Sequence, residues 1–177
     1  MKYCAKCGST VTRKIPEGDN RSRWICDSCS EIHYQNPRIV VGCVPEQNGQ
    51  ILLCRRAIEP RRGFWTVPAG FMELGETIAE GAARETREEA CAEVELGHLF
   101  ASVDVVEAGQ VHLFFTATLL GDHGVGEETL ETALFRKEEI PWDEIAFRSG
   151  AFALRKFLED AGRNNGVHLH RVTRGEC

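Results

Sequence analysis

Gly70-Phe71-Met72-Glu73-Leu74-Gly75-Glu76-Thr77-Ile78-Ala79-Glu80-Gly81-Ala82-Ala83-Arg84-Glu85-Thr86-Arg87-Glu88-Glu89-Ala90-Cys91-Ala92 is the stretch that decides the fold. It opens as a glycine-punctuated loop. Thr77 with Glu80 forms a capping box, which predicts a helix from there to about Cys91. At about 100° per residue, Ile78, Ala79, Ala82, Ala83, Thr86 and Ala90 fall on one arc, the face that packs inward. Glu80, Arg84 and Arg87 point roughly the other way, to water. Glu85, Glu88 and Glu89 share a third arc with Gly81, abutting the apolar face. Like charges at i,i+3 and i,i+4 repel, so this trio is unopposed unless a cation sits among the carboxylates. Mg²⁺ or Mn²⁺ takes oxygen ligands and keeps substrate phosphates in its shell, so such a cluster beside a glycine loop points to phosphate chemistry. The bland alternative is a solvated acidic helix in which Arg84 pairs with Glu80 and Glu88. It is the commoner reading for a generic helix, but the position of the acids against the core face favours a metal site here.

The run resembles the Nudix box, G-x5-E-x7-R-E-U-x-E-E-x-G-U, where U is a bulky aliphatic residue. Gly70, Glu76, Arg84, Glu85, Glu88 and Glu89 match it at every charged position and spacing. Thr86 and Ala92 stand at aliphatic positions. Cys91 replaces the final glycine, which would let the helix end in a left-handed turn at little cost. The resemblance covers residues from about Pro37 to Leu158. It implies an α+β fold, an α/β/α sandwich with a mixed sheet, and hydrolysis of a nucleoside diphosphate linked to another moiety. It further implies catalytic Mg²⁺ or Mn²⁺ on Glu85, Glu88 and Glu89, with the backbone carbonyl of Ala69 as a further ligand. Glu128 and Glu85 compete for the role of orienting the attacking water, with Glu127 and Glu131 as stand-ins for Glu128. Arg84 would hold the glutamates in orientation.

The chain of 177 residues can bury one core and carry a small appendage. Its formal net charge of −6 argues against a binder of nucleic-acid backbones driven by bulk electrostatics, so polyphosphate must be neutralised locally. No apolar run approaches the roughly 20 residues that span a bilayer. Met1-Lys2-Tyr3-Cys4 leads straight into a cysteine motif without a signal-peptide core. A cytoplasmic protein without membrane attachment is expected, acting on a small nucleotide, with a homodimer as an option.

Cys4-x-x-Cys7 and Cys26-x-x-Cys29 are two knuckles whose thiolates would complete a tetrahedral Zn²⁺ shell, a structural site with no open position. Val11-Thr12-Arg13-Lys14 and Arg23-Trp24-Ile25 read as strands either side of a turn at residues 16–20. His33 reads as a surface or packing residue, since four cysteines already fill the shell. The expected organisation is a zinc ribbon over residues 1–36, a catalytic domain over 37–160 and a flexible tail over 161–177. Asn36-Pro37 marks the first boundary.

In the catalytic domain, residues 38–45 and 51–56 read as buried strands joined by an Asn48-Gly49 hairpin, with Cys43 and Cys54 as core residues. Four arginines follow, Arg55, Arg56, Arg61 and Arg62. Related Nudix enzymes often turn a basic residue at the end of this strand to the substrate, so Arg55 or Arg56 is the candidate phosphate contact. Strand parity decides which. Phe64 or Trp65 could stack on a base or fill the core, and Glu73 joins the substrate-facing candidates. Residues 93–107 and 110–120 read as longer strands, and 130–135 as another. Ser149 reads as the cap of a last helix running to Leu158.

A ribbon joined to such a domain resembles the NADH pyrophosphatases, yet their S-Q-P-W-P-F-P-x-S array is absent. Gly109-Gln110-Val111 and residues 139–147 look most like the zinc-ribbon group acting on FAD and ADP-ribose, which favours an adenosine-diphosphate-linked substrate. NADH hydrolysis, removal of a nucleotide cap from RNA, and a non-catalytic ligand sensor are the alternatives.

Overall fold

A computed structural model describes residues 1–173 of the chain. It divides into two compact units between Pro37 and Arg38, where the Asn36-Pro37 dipeptide breaks the local structure.

The first unit is an antiparallel three-stranded ribbon, β1 (Val11–Lys14), β2 (Arg23–Cys26) and β3 (Ile32–His33). Asp19 builds the β1–β2 turn by accepting from the Asn20 and Arg21 amides and from Arg23 Nε at 3.0 Å. Its core is only Cys4, Val11 and Cys26 with Trp24 leaning on them. That is too little apolar surface to offset chain entropy, so two of the four candidate zinc ligands serve as the core itself.

The second unit begins with β4 (Arg38–Gln47) and β5 (Gln50–Arg56), turned by Asn48 and Gly49, both at positive φ. β4 pairs with β5 only at its far end, at Glu46 and Gln47. Its earlier residues Val40–Gly42 pair instead with β7 (Ala69–Phe71), while β6 (Trp65–Thr66) pairs with β5. The hairpin is thus split open, and the segment leading into the helix of the opening stretch is held inside the split. That helix, α1 (Ile78–Ala90), has the predicted capping box at Thr77. It ends with Cys91 in the left-handed region, φ 48°, so the turn glycine would favour forms here without it.

β8 (Glu93–Val105), β9 (Gln110–Leu120), β10 (Thr129–Phe135), α2 (Arg148–Asp160) and β11 (His168–Arg171) follow. The sheet order is β10-β5-β4-β9-β8-β11, mixed because β4–β9 and β8–β11 are parallel pairs. Alternation along the strands sends Val41, Cys43, Phe115 and Ala117 to α1, and Val44, Leu53, Phe100 and Phe114 to Leu154 of α2. The result is the α/β/α sandwich. Phe100 is fully buried, and truncating it to alanine would cost about 3–5 kcal/mol.

Two expectations change. The segment after Gly162 is not a loose tail as far as residue 172. β11 pairs in register with Ala101–Asp104, His168 Nε2 lies 2.9 Å from Asp160 Oδ2, His170 stacks on Phe152, and Val172 is buried. The last four residues of the predicted tail lie outside those described. Ser149 is not the helix cap either. Phe147 holds that position, without a side-chain bond, and Ser149 sits inside α2 with its Oγ 2.8 Å from His112 Nδ1.

Candidate active site and cysteine centre

Helical periodicity separates the three box glutamates. Glu85 and Glu89 are buried against the sheet, whereas the side chain of Glu88 is 60% exposed at the rim. Arg84 does not point to water, because the loop ahead of α1 folds back over it. Its Nε and Nη2 reach both oxygens of Glu76 at 2.9 Å, Nη1 reaches Glu85 Oε1 at 2.7 Å and Glu88 Oε2 at 3.1 Å, and Nη2 donates to the Phe71 carbonyl. The Arg84 guanidinium and the Glu73 amide hold the Glu76 carboxyl down at about 2. One arginine therefore ties the loop to two of the glutamates.

Burial pushes the Glu89 carboxyl up to about 8; the Ala69 amide, donating to Oε2 at 3.1 Å, opposes this, while Glu85 and Glu128 add to it. Burial also raises Glu85, against the pull of Arg84. Gly70 makes the approach possible, since a Cβ there would overlap the Glu85 carboxylate. A buried carboxylate group under-compensated by protein cations, beside a backbone cradle that a side chain would fill, suits a hard divalent ion. Arg84 Nη1 holds Glu85 Oε1 and Glu88 Oε2 together from the rim of this group.

Parity places Arg56 on the same face of β5 as Leu52 and Cys54, the α1 face, and its charge is felt at Glu89. Arg55 points the other way, packing its guanidinium over Trp65 and bonding Glu131 Oε2 at 3.3 Å. Trp65 is buried in the core against Phe135, while Phe64 is half-buried under Arg61. Glu73 is exposed in the loop.

Of the acids in the loop after β9, Glu128 acts electrostatically on both Glu85 and Glu89. Glu131 is taken by Arg55, with which it is also in strand register. Gly126 sets this up. Its amide donates to the Glu89 carbonyl, the Gly124 amide donates to the Ala90 carbonyl, and a Cβ on Gly126 would run into the Glu88 carbonyl. The loop thereby caps the last turn of the glutamate helix. Glycine spacing after β9 was the signal in the sequence, but only the close approach gives it meaning.

In the ribbon, Cys4, Cys7, Cys26 and Cys29 bring their sulfurs within 4.8 Å of one another. An S₄ shell at Zn–S of about 2.3 Å has edges of about 3.8 Å. The Cys4–Cys29 and Cys7–Cys26 separations of 3.7 and 3.4 Å suit Zn²⁺.

Comparison with known proteins agrees with this geometry. Residues 2–35 match the model described as Nudix N-terminal, a zinc ribbon, and residues 36–161 match the NUDIX domain. The chain belongs to the Nudix hydrolase family. It is similar to a solved NUDIX hydrolase from Nitrosomonas europaea, with 49% identity, a TM-score of 0.91, and 97% and 99% of the two chains covered. Among curated proteins it is 30% identical to the NAD-capped RNA hydrolase NudC of Vibrio vulnificus, over 80% of this chain and 53% of the relative. To the ADP-ribose pyrophosphatase of Methanocaldococcus jannaschii it is 29% identical, over 64% of this chain and 69% of the relative. The chain spans about half the length of the NAD-capped RNA hydrolases at the head of these matches. No helix among the described residues is long and apolar enough to cross a membrane.

Proposed function

We propose that the chain is a divalent-metal-dependent pyrophosphohydrolase that cleaves the diphosphate of an adenosine-diphosphate-linked substrate, FAD or ADP-ribose in preference to NADH, and releases AMP. The observation that carries this reading is the pair of buried glutamates, Glu85 and Glu89, packed against Gly70 and Ala69 with Arg84 bridging Glu85, Glu88 and Glu76.

Glu85, Glu88, Glu89 and the Ala69 carbonyl would hold Mg²⁺ or Mn²⁺, which when bound neutralises bridging phosphates and lowers the pKa of a coordinated water. Arg84 keeps Glu85 and Glu88 oriented. Arg56, on the α1 face and felt at Glu89, is the first candidate for the substrate's phosphate charge, its guanidinium resting over Phe147 and donating to the Pro60 carbonyl; Arg55, paired at the surface with Glu131, is the second. Glu128, whose charge acts on both Glu85 and Glu89, is the carboxylate assigned to orient the attacking water, with Glu85 as its competitor. Phe64 and Glu73 remain the flanking substrate contacts of the proposal.

A second reading has specific support, since the NAD-capped RNA hydrolases are relatives. NAD carries the same adenosine diphosphate half, so such a cap presents the same chemistry with RNA attached. The net acidic chain favours the free dinucleotide. A hydrolysis panel of FAD, ADP-ribose, NADH and NAD-capped RNA, each with and without Mg²⁺, tests both. Turnover of FAD or ADP-ribose with release of AMP supports the first reading. Activity confined to the capped RNA replaces it with the second, and inertness toward all four overturns the proposed adenosine-diphosphate-linked substrate.

A further inference from the structure

His33 is not a bystander to the cysteine centre. Its Nε2 lies 3.2 Å from Cys4 Sγ, a position fixed by the pairing of His33 with Trp24 across β2 and β3. The two buried sulfurs of the centre are served in parallel ways. Cys26 Sγ accepts from the amides of Ser28 and Cys29, both at 3.4 Å. Cys4 Sγ accepts from the Lys6 amide at 3.4 Å, and the imidazole of His33 stands where a second donor would be.

We propose that His33 is a positioning residue for zinc: it donates an Nε2–H hydrogen bond to the Cys4 thiolate and so strengthens retention of the metal. When zinc is bound all four sulfurs are thiolates and can only accept, so a ring nitrogen at this distance must carry the proton. The proton withdraws charge from a centre in which four thiolates exceed the charge of one Zn²⁺ by two. His33 acts through Cys4 and not as a ligand, because the four clustered cysteine sulfurs already complete a tetrahedral shell.

The test uses the full chain, wild type, His33→Phe and His33→Gln. Zinc affinity is read by competition with a chromogenic chelator. The site is then reloaded with Co²⁺, whose sulfur-to-metal charge-transfer band reports thiolate donor strength and is silent on any ion held by carboxylates. We expect His33→Phe to weaken zinc binding about tenfold, within the range for outer-shell partners, and to shift the band to longer wavelength. His33→Gln, which keeps an N–H donor, should restore both toward wild type. Equal loss in the two variants with an unmoved band would reduce His33 to packing, and wild-type behaviour in both would remove it from the metal's affairs; either result overturns the proposal.

Discussion

Replacing Arg84 with methionine tests how the glutamates are held. The substitution keeps the apolar stem and removes the guanidinium, leaving Glu76, Glu85 and Glu88 without the donor they share. The side chains of Arg84, Glu76 and Glu85 are 23%, 15% and 12% exposed, so this is neither a surface ion pair of 0–1 kcal/mol nor a fully buried one of about 3–5 kcal/mol. Two charge-assisted bonds to Glu76 and one to Glu85 place the loss at about 3 kcal/mol, which for a unit of this size lowers the melting midpoint by about 10 °C. The assay is thermal and denaturant unfolding of wild type, Arg84→Met, Glu76→Gln and the double variant. The cycle should give a coupling of about 2 kcal/mol between Arg84 and Glu76. A coupling below about 0.5 kcal/mol would mean that the network seen around Arg84 is not what fixes the loop.

Gly126→Ala forces the loop off the Glu88 carbonyl and should cost about 1–2 kcal/mol of stability and roughly tenfold in turnover through displacement of Glu128, measured by denaturation and steady-state kinetics. Burial lowers His112 to about 4, where it stays neutral between Ser149 and Gln110. Its contribution is therefore complete above the unfolded value near 6.5 and is lost as pH falls from there toward 4; allowing for its partial exposure, that loss is about 1–2 kcal/mol. His112→Gln should flatten this part of the pH–stability curve, and a parallel curve would refute the assignment. Cys26→Ser should lower zinc stoichiometry and melt the ribbon, seen by metal analysis and loss of amide protection at β1 and β2, since Cys26 is both a candidate ligand and core.

Local rules were enough for α1 and for the β4–β5 hairpin. Thr77 with Glu80 defines a helix start and Asn48-Gly49 a turn through contacts within a few residues, and the spacing of the two cysteine knuckles likewise announces the cluster of four sulfurs. What failed was non-local. A helical wheel sends Arg84 to solvent because it cannot know that Glu76 returns over the helix. Arg55 and Arg56 are equivalent until Leu53 and Leu52 are assigned to opposite faces. Ser149 has the chemistry of a cap, yet His112 from a distant strand takes its hydroxyl. Residues 168–171 carry no strand signal of their own and are ordered by parallel pairing with β8, a contact invisible at short range. Counting ligands leaves His33 a packing residue, and its approach to Cys4 Sγ follows from the β2–β3 pairing, which no local pattern announces.

The central claim is that Glu85, Glu88 and Glu89 hold a divalent ion for cutting a phosphoanhydride, and Glu89 is the most direct handle on it. AMP release from ADP-ribose and FAD, followed over a Mg²⁺ titration for wild type and Glu89→Gln of matched melting behaviour, should show metal-dependent turnover in the first and none in the second. Undiminished, Mg²⁺-responsive hydrolysis by Glu89→Gln would contradict the account.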